Sequence, residues 1–288
     1  MTDQPLVSIV TPSYNQAAFI EDTIHSVRNQ TYEPIEHIVV DGESDDGTIE
    51  ILREYDDDLT WISEPDDGQS DAINKGFEMA NGEYVGWLNS DDVYLDTEVV
   101  ERVVDYFEQT GSDLIYGDMA LLDSDSNVLK VYCVPDFDMQ LLLRYCFVEQ
   151  PSLFFRGKVV AENRLDTELA YVMDYEFWLR LAAKYEFCHV DDVLAGDRNH
   201  PERKILGDRD QMLAEARELQ ATYGVTHDTR YQIDRALDKM FSGLPRRARA
   251  IAATLALHRG PLTLAFDGEL RSRREMLKNT FTANRNLL

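Results

Sequence analysis

Between residues 6 and 111 the chain passes four times from a short apolar run to a segment with helical spacing, and this alternation restricts its fold more than any other feature. The runs at 6–11 (LVSIVT), 35–41 (IEHIVVD), 59–63 (LTWIS) and 83–89 (EYVGWLN) read as strands. Between them, 16–30 sets Phe19, Ile20, Ile24 and Val27 at helical spacing, and 45–55 opens behind acidic capping residues with Ile49, Leu52 and Tyr55 on one side. The segments 68–82, closed by Asn-Gly, and 96–111, headed by Asp96 or Thr97 and stopped by Gly111, complete the pattern. Strands joined by helical crossovers build a parallel sheet, wound right-handed, with helices on both faces. The expected class is therefore α/β, with a Rossmann-like, mostly parallel sheet.

After residue 111 the alternation stops. Strands are expected at 113–118, at 119–125 and 128–134 around a polar turn, at 152–157 and at 186–190, with one helix at 173–185. From about 208 the sequence reads as helix. The last stretch, 245–288, has nine Arg or Lys against three acids, a net +6 that leaves −32 on residues 1–244. These shifts divide the chain into an α/β domain at 1–206, a helical extension at 207–244 and a basic amphipathic tail at 245–288. The tail joins an Arg cluster to a short apolar helix. That profile suits a peripheral contact with an anionic membrane surface, or equally the packing of its arginines on the acidic body.

The whole chain carries 28 Lys and Arg against 54 Asp and Glu, a net charge of −26, yet 44% of it is hydrophobic, enough for a folded core. Such a surface repels phosphate backbones, which excludes nucleic acid as the main partner. Only 7 of the basic residues are Lys. Abundant acid with little Lys suits a halophilic surface, because at about 1 M salt the Debye length falls to about 3 Å and self-repulsion is screened. Cys133, Cys146 and Cys188 lie far apart without a C-x-x-C pair, which disfavours a disulfide framework or zinc knuckle and points to a reducing compartment. The first residues lack a basic n-region, and no apolar run approaches the roughly 18 residues of a spanning helix. A cytoplasmic protein is expected, at most peripheral to the membrane.

In an open parallel sheet, ligands gather beyond the carboxyl ends of the strands. Those ends carry Thr11–Asn15, Asp41–Ser44, Glu64–Gly68 and Asn89–Asp92, three of them acidic. A phosphate-bearing ligand would be repelled there unless a divalent cation intervenes, and Asp91 and Asp92 are hard oxygen donors suited to Mg²⁺ or Mn²⁺. Taken alone the pair reads more readily as a cap for the helix after it, and the recurrence of acids at several strand ends on the same edge is what favours the cation. Neither a P-loop nor a GxGxxG turn is present.

The motifs VSIVTPSYNQAAFIEDTIHSVRNQTY, VVDGESDDGT, SEPDDGQSDAINKGFEMANGEYVGWLNSDD and MDYEFWLRLA, in that order over about residues 5–200, resemble the family 2 glycosyltransferases. These are inverting enzymes of the GT-A fold that use nucleotide-sugar donors. The resemblance implies that Pro12, Tyr14 and Asn15 touch the base or ribose, that Asp41 lies beside the base, and that Asp67, Gln69 and Asn74 line the nucleotide pocket. NSDD matches the family's DxD motif, with Asp91 as metal ligand and Asp92 close behind. Its first Asp is Asn89 here, which would offer an amide to the ribose or to a metal-bound water. Asp174 matches the general base. An acceptor hydroxyl that attacks an anomeric carbon must lose a proton, which a positioned carboxylate can take; Glu176, two residues on, points elsewhere on a helix. A helix cap is the alternative for Asp174. Arg198 and His200 match an R-x-H region that would contact the diphosphate or, for His200, add a metal ligand; a structural role is equally open. Trp61, Trp87 and Trp178 fit core packing better than sugar stacking.

The function expected on these grounds is inverting transfer of a sugar from a nucleotide-diphosphate donor to an acceptor hydroxyl, with Mn²⁺ or Mg²⁺ as cofactor. The basic tail suggests a lipid-linked acceptor on a dolichyl or polyprenyl phosphate carrier, in surface-glycan or protein N-glycosylation assembly. A sugar-nucleotide nucleotidyltransferase and a non-catalytic acidic cation-binding scaffold are the alternatives. The former would show a glycine-rich basic loop where TPSYNQ stands.

Overall fold

The computed structural model describes residues 4–201, 203, 209–227 and 232; the expected tail at 245–288 and most of the extension after 227 lie outside the described residues. The expected βα alternation forms as β1 (Val7–Ser13), α1 (Ile20–Arg28), β2 (Ile35–Asp41), α2 (Thr48–Glu54), β3 (Thr60–Ser63), α3 (Gln69–Met79) and β4 (Tyr84–Trp87). A two-residue strand β5 (Val93–Tyr94), absent from the sequence reading, precedes α4 (Val99–Thr110). Val99, Val100, Val103, Val104 and Phe107 make the buried stripe of α4, and Gly111 ends it in a left-handed cap at φ 71°. Then follow β6 (Leu114–Leu122), β7 (Val128–Tyr132), α5 (Met139–Leu142), β8 (Leu153–Arg156), α6 (Gly157–Glu162), α7 (Met173–Leu181), β9 (Phe187–Arg198) and α8 (Arg209–Thr222).

Among the described residues one sheet runs β3-β2-β1-β4-β8-β6-β9-β5, with β7 paired to β6. The first four strands are mutually parallel, β8 runs against β4 and β6, and β9 lies parallel to β6. With β5 antiparallel to β9 and β7 to β6, four of the eight pairings are parallel, and six of the nine strands run the same way; the loops after β1 to β4 open on one edge of this mixed sheet.

The strands expected at 113–118 and 119–125 form one continuous strand, and the one expected at 186–190 is longer. β6 continues through Asp118, because the buried carboxylate accepts the Val134 N–H at 2.9 Å and so has a partner inside the sheet. β9 passes through Asp191 and Asp192, where Arg102 holds the Asp192 carboxylate at 2.5 Å, and ends at Arg198 instead of near 190. Because β5 pairs with Ala195 and Gly196 of β9, the loop after β4 is brought against the end of β9. Trp87 and Trp178 are buried in one core with their rings 6.2 Å apart, and Leu219, Met212 and Ala216 of α8 pack on the same core. Trp61 is half-buried, its indole N–H donating to Asp56 at 2.6 Å.

Candidate active site

A cavity of about 840 Å³ opens at the carboxyl edge of β1 to β4. Pro12, Ser13 and Tyr14 at the end of β1 and Gly42 and Glu43 after β2 form one side, with Gln69 at the start of α3. Asn15 and Glu43 hold left-handed backbone at φ 52° and 64°, which non-glycine residues seldom adopt outside constrained sites. Hydrogen bonds between the loops sustain it. The Asn15 N–H reaches Ser44 Oγ at 2.8 Å, and its side chain accepts the Asp45 N–H at 3.0 Å. Asp41, fully buried, accepts from the Ser44 N–H, Ser44 Oγ and Ser63 Oγ at 2.9, 2.5 and 2.8 Å. Gly42 meets Asp66 so closely that a Cβ would lie 2.7 Å from its carboxylate.

Pro12, Tyr14 and Gln69 thus border the cavity, Tyr14 at 63% exposure, whereas Asn15 and Asp41 brace its loops from behind. Ser13 Oγ borders the same side, buried and without a hydrogen-bond partner. Asp67 is exposed beside it, its N–H on the Asp71 carboxylate. Asn74 is committed elsewhere, its amide making two bonds to the Leu165 backbone at 2.8 and 3.0 Å.

Asn89 is the hub of the next segment. Its Oδ1 accepts from Trp87 Nε1 at 2.9 Å and Gln69 Nε2 at 3.0 Å, while its Nδ2 donates to Gln150 at 2.7 Å and Asp92 at 3.3 Å. An amide can fill all four positions and a carboxylate cannot, since an ionised acid only accepts. The departure from an acidic residue at this position therefore has a local cause: Asp here would lose both donated bonds and face Asp92 with a like charge.

Asp91, Asp92, Asp197, His200 and Arg203 gather beyond it. His200 Nε2 lies 2.9 Å from Asp91 Oδ2, and because the carboxylate accepts, that nitrogen carries the proton. Asp92 is buried beneath, accepting the Arg198 N–H at 3.1 Å. Burial and the carboxylates of Asp91 and Asp197 hold its proton affinity well above the usual range, and it hydrogen-bonds Asp197, whose own affinity burial also raises. Arg203 offsets the cluster through Asp197 at 2.7 Å. Arg198 does not border the cavity. At 1% exposure it runs behind Asp91, donating to the Asp91 carbonyl, Ser126 Oγ and the Asp22 carboxylate at 3.0, 2.7 and 2.9 Å, with Phe19 packed between it and His200.

Among the described residues no three His, Cys, Asp or Glu are arranged to hold a metal unaided. Mg²⁺ and Mn²⁺ commonly take one or two carboxylates and complete their shell with phosphate oxygens and water. The donor set, Asp91 on the cavity wall with the nearly fully buried Asp92 next to it, fits a cation that arrives with a phosphate-bearing ligand.

Asp174, in the first turn of α7, borders the same cavity. Burial pushes its carboxyl up to about 6, with the Tyr175 N–H at 2.7 Å pulling the other way. Glu176 is tied to Arg180 at 2.8 Å and is absent from the cavity wall. Glu149, Asp197 and Arg203 also line the cavity, and the sequence reading singles out none of them. Asp197 and Arg203 stand in the same GDRNHPER run as Arg198 and His200, and Glu149 in a polar run ahead of β8, where no periodicity marks a site.

The profile described as Glycosyl transferase family 2 matches residues 8–131. An uncharacterized glycosyltransferase of Mycobacterium tuberculosis is 31% identical over 224 residues, 74% of this chain and 84% of that one. One from Methanocaldococcus jannaschii is 29% identical over 204 residues, covering 67% and 70%, while the match to a longer relative from Rickettsia conorii covers 35% of its length. S. aureus TarS 1-349 in complex with UDP-GlcNAc shares the fold at a TM-score of 0.62 and 15% identity, over 97% of this chain and 90% of that one. The mannosyltransferase PcManGT of Pyrobaculum calidifontis, with GDP-Man and Mn2+, does so at 0.60 and 17%, over 98% and 88%.

Proposed function

The chain belongs to glycosyl transferase family 2, and from that premise we propose that it moves a sugar from a nucleotide-diphosphate donor to an acceptor hydroxyl with inversion at the anomeric carbon. The observation that carries this is the placement of the half-buried carboxyl of Asp174, its proton affinity raised to about 6, in the same cavity as the strand-end loops and Asp91. Pro12, Tyr14 and Gln69 hold the base and ribose, on loops braced by Asn15 and Asp41. Asp174 takes the proton of the acceptor hydroxyl as its oxygen bonds to the anomeric carbon, and the nucleoside diphosphate leaves from the opposite face. A divalent cation, when bound at Asp91 with Asp92 next to it, supplies Lewis-acid stabilisation of the leaving diphosphate. The UDP-GlcNAc in the TarS complex and the GDP-Man and Mn2+ in the PcManGT complex support this choice. For the acceptor, the +6 charge of 245–288 favours a lipid-linked glycan at an anionic membrane surface.

A panel of UDP-, GDP- and TDP-sugars tests the activity. Nucleotide release should require Mn²⁺ or Mg²⁺ and be lost in Asp91→Ala. In Asp174→Asn, transfer should fall by about 10²–10⁴-fold with nucleotide affinity retained. Full release by Asp91→Ala, or none with any donor, would sink the assignment.

A further inference from the structure

Glu149 lines the cavity close enough to Asp174 and Asp197 for both carboxylates to raise its proton affinity. It is held firmly. Its carbonyl accepts the Ser152 N–H at 3.1 Å, and the adjoining Gln150 is fixed by the Trp87 carbonyl at 2.5 Å and by Asn89 at 2.7 Å, the same hub that orients the Asp91 loop. No hydrogen bond from a described residue reaches its carboxyl. A half-buried acid that is anchored through its backbone, accepts no hydrogen bond from a described residue and is set at a ligand cavity has bonding capacity to offer the ligand.

Given the donor chemistry proposed above, on which this inference rests, the atoms between the leaving diphosphate and Asp174 are those of the transferred ring. We infer that Glu149 binds hydroxyl groups of the transferred sugar and so takes part in choosing the donor. Burial, Asp197 and Asp174 push its carboxyl up to about 8 against the opposing pull of Arg203 and Lys130, and a protonated carboxyl donates one hydrogen bond and accepts another. In that state it adds no charge beside Asp174.

Binding of UDP-GlcNAc and GDP-Man, measured by calorimetry against UDP and GDP alone, isolates the sugar contact. Glu149→Ala should weaken whichever nucleotide sugar the wild type binds by about tenfold, a typical loss for one hydrogen bond. It should leave the matching nucleoside diphosphate unchanged. Glu149→Gln keeps both hydrogen-bonding poles and should stay within about threefold of wild type. Equal weakening of sugar and diphosphate in Glu149→Ala, no weakening of either, or a glutamine variant as weak as the alanine one would overturn the role of Glu149 while leaving the donor assignment intact. If neither of these sugars binds, the same comparison is run with the UDP-, GDP- and TDP-sugars of the panel above; binding of none of them overturns the donor assignment, and this inference with it.

Discussion

A carboxylate that accepts a proton from a hydroxyl works best when its own proton affinity lies near the surrounding pH, and Asp174 reaches that range through burial. The same burial has a consequence for stability. In the unfolded chain the group titrates near 3.8, in the fold near 6, so the folded state holds the proton more tightly. Its contribution is therefore fully present below about pH 4 and is lost as pH rises through about 6, by about 1–3 kcal/mol, the lower figure allowing for its opening to the cavity. Asp174→Asn should then melt above wild type at pH 8 and level with it at pH 4, while wild-type turnover climbs through pH 6 to a plateau. Melting curves at both pH values and a kcat profile check this. A variant less stable than wild type at pH 8 would contradict the assigned burial.

The position of α7, which presents Asp174, depends on a helix far along the chain. The Glu215 carboxylate of α8 accepts the backbone N–H groups of Ala170, Tyr171 and Val172 at 2.9, 2.7 and 2.9 Å, and Gln220 donates to the Tyr175 hydroxyl at 3.1 Å. Three successive backbone donors of the segment leading into α7, the last at its N-cap Val172, are thereby satisfied by one acid. Glu215→Ala should destabilise the protein by about 1–3 kcal/mol. Hydrogen exchange at 170–172 should rise, and kcat should drop more than donor affinity; unchanged exchange would refute the clamp. The amphipathic spacing of Met212, Ala216 and Leu219 is visible in the sequence, but not that this face docks beside α7. The βα order and the strand-end loops were legible because periodicity and turn residues are local signals. Asn89 was legible as a substitution, but its four bonds were not, since Gln69 and Gln150 lie 20 and 61 residues away. Likewise the reach of β9 to Arg198 depends on Arg102 holding Asp192, a contact across 90 residues.

At the scale of the whole chain, two readings of its charge make opposite demands. A net −26 with few Lys suits concentrated salt, whereas a +6 tail attracted to anionic lipid works best in dilute salt. Each Lys or Arg near such a surface is worth about 1 kcal/mol at physiological ionic strength and decays within a Debye length of about 8 Å, which shrinks to about 3 Å at 1 M. If electrostatics carries the contact, the full chain should sediment with vesicles containing phosphatidylserine at 0.1 M salt and be released by 1 M. A chain ending at residue 244 should remain in solution at both. Retention at 1 M would assign the contact to burial of the apolar residues of 251–266, which salt does not weaken, and would reconcile a membrane role with a high-salt surface. Equal partition of the full and shortened chains would remove the membrane from the account. The arginines would then be assigned to the −32 body, and the case for a lipid-linked acceptor would fall with them.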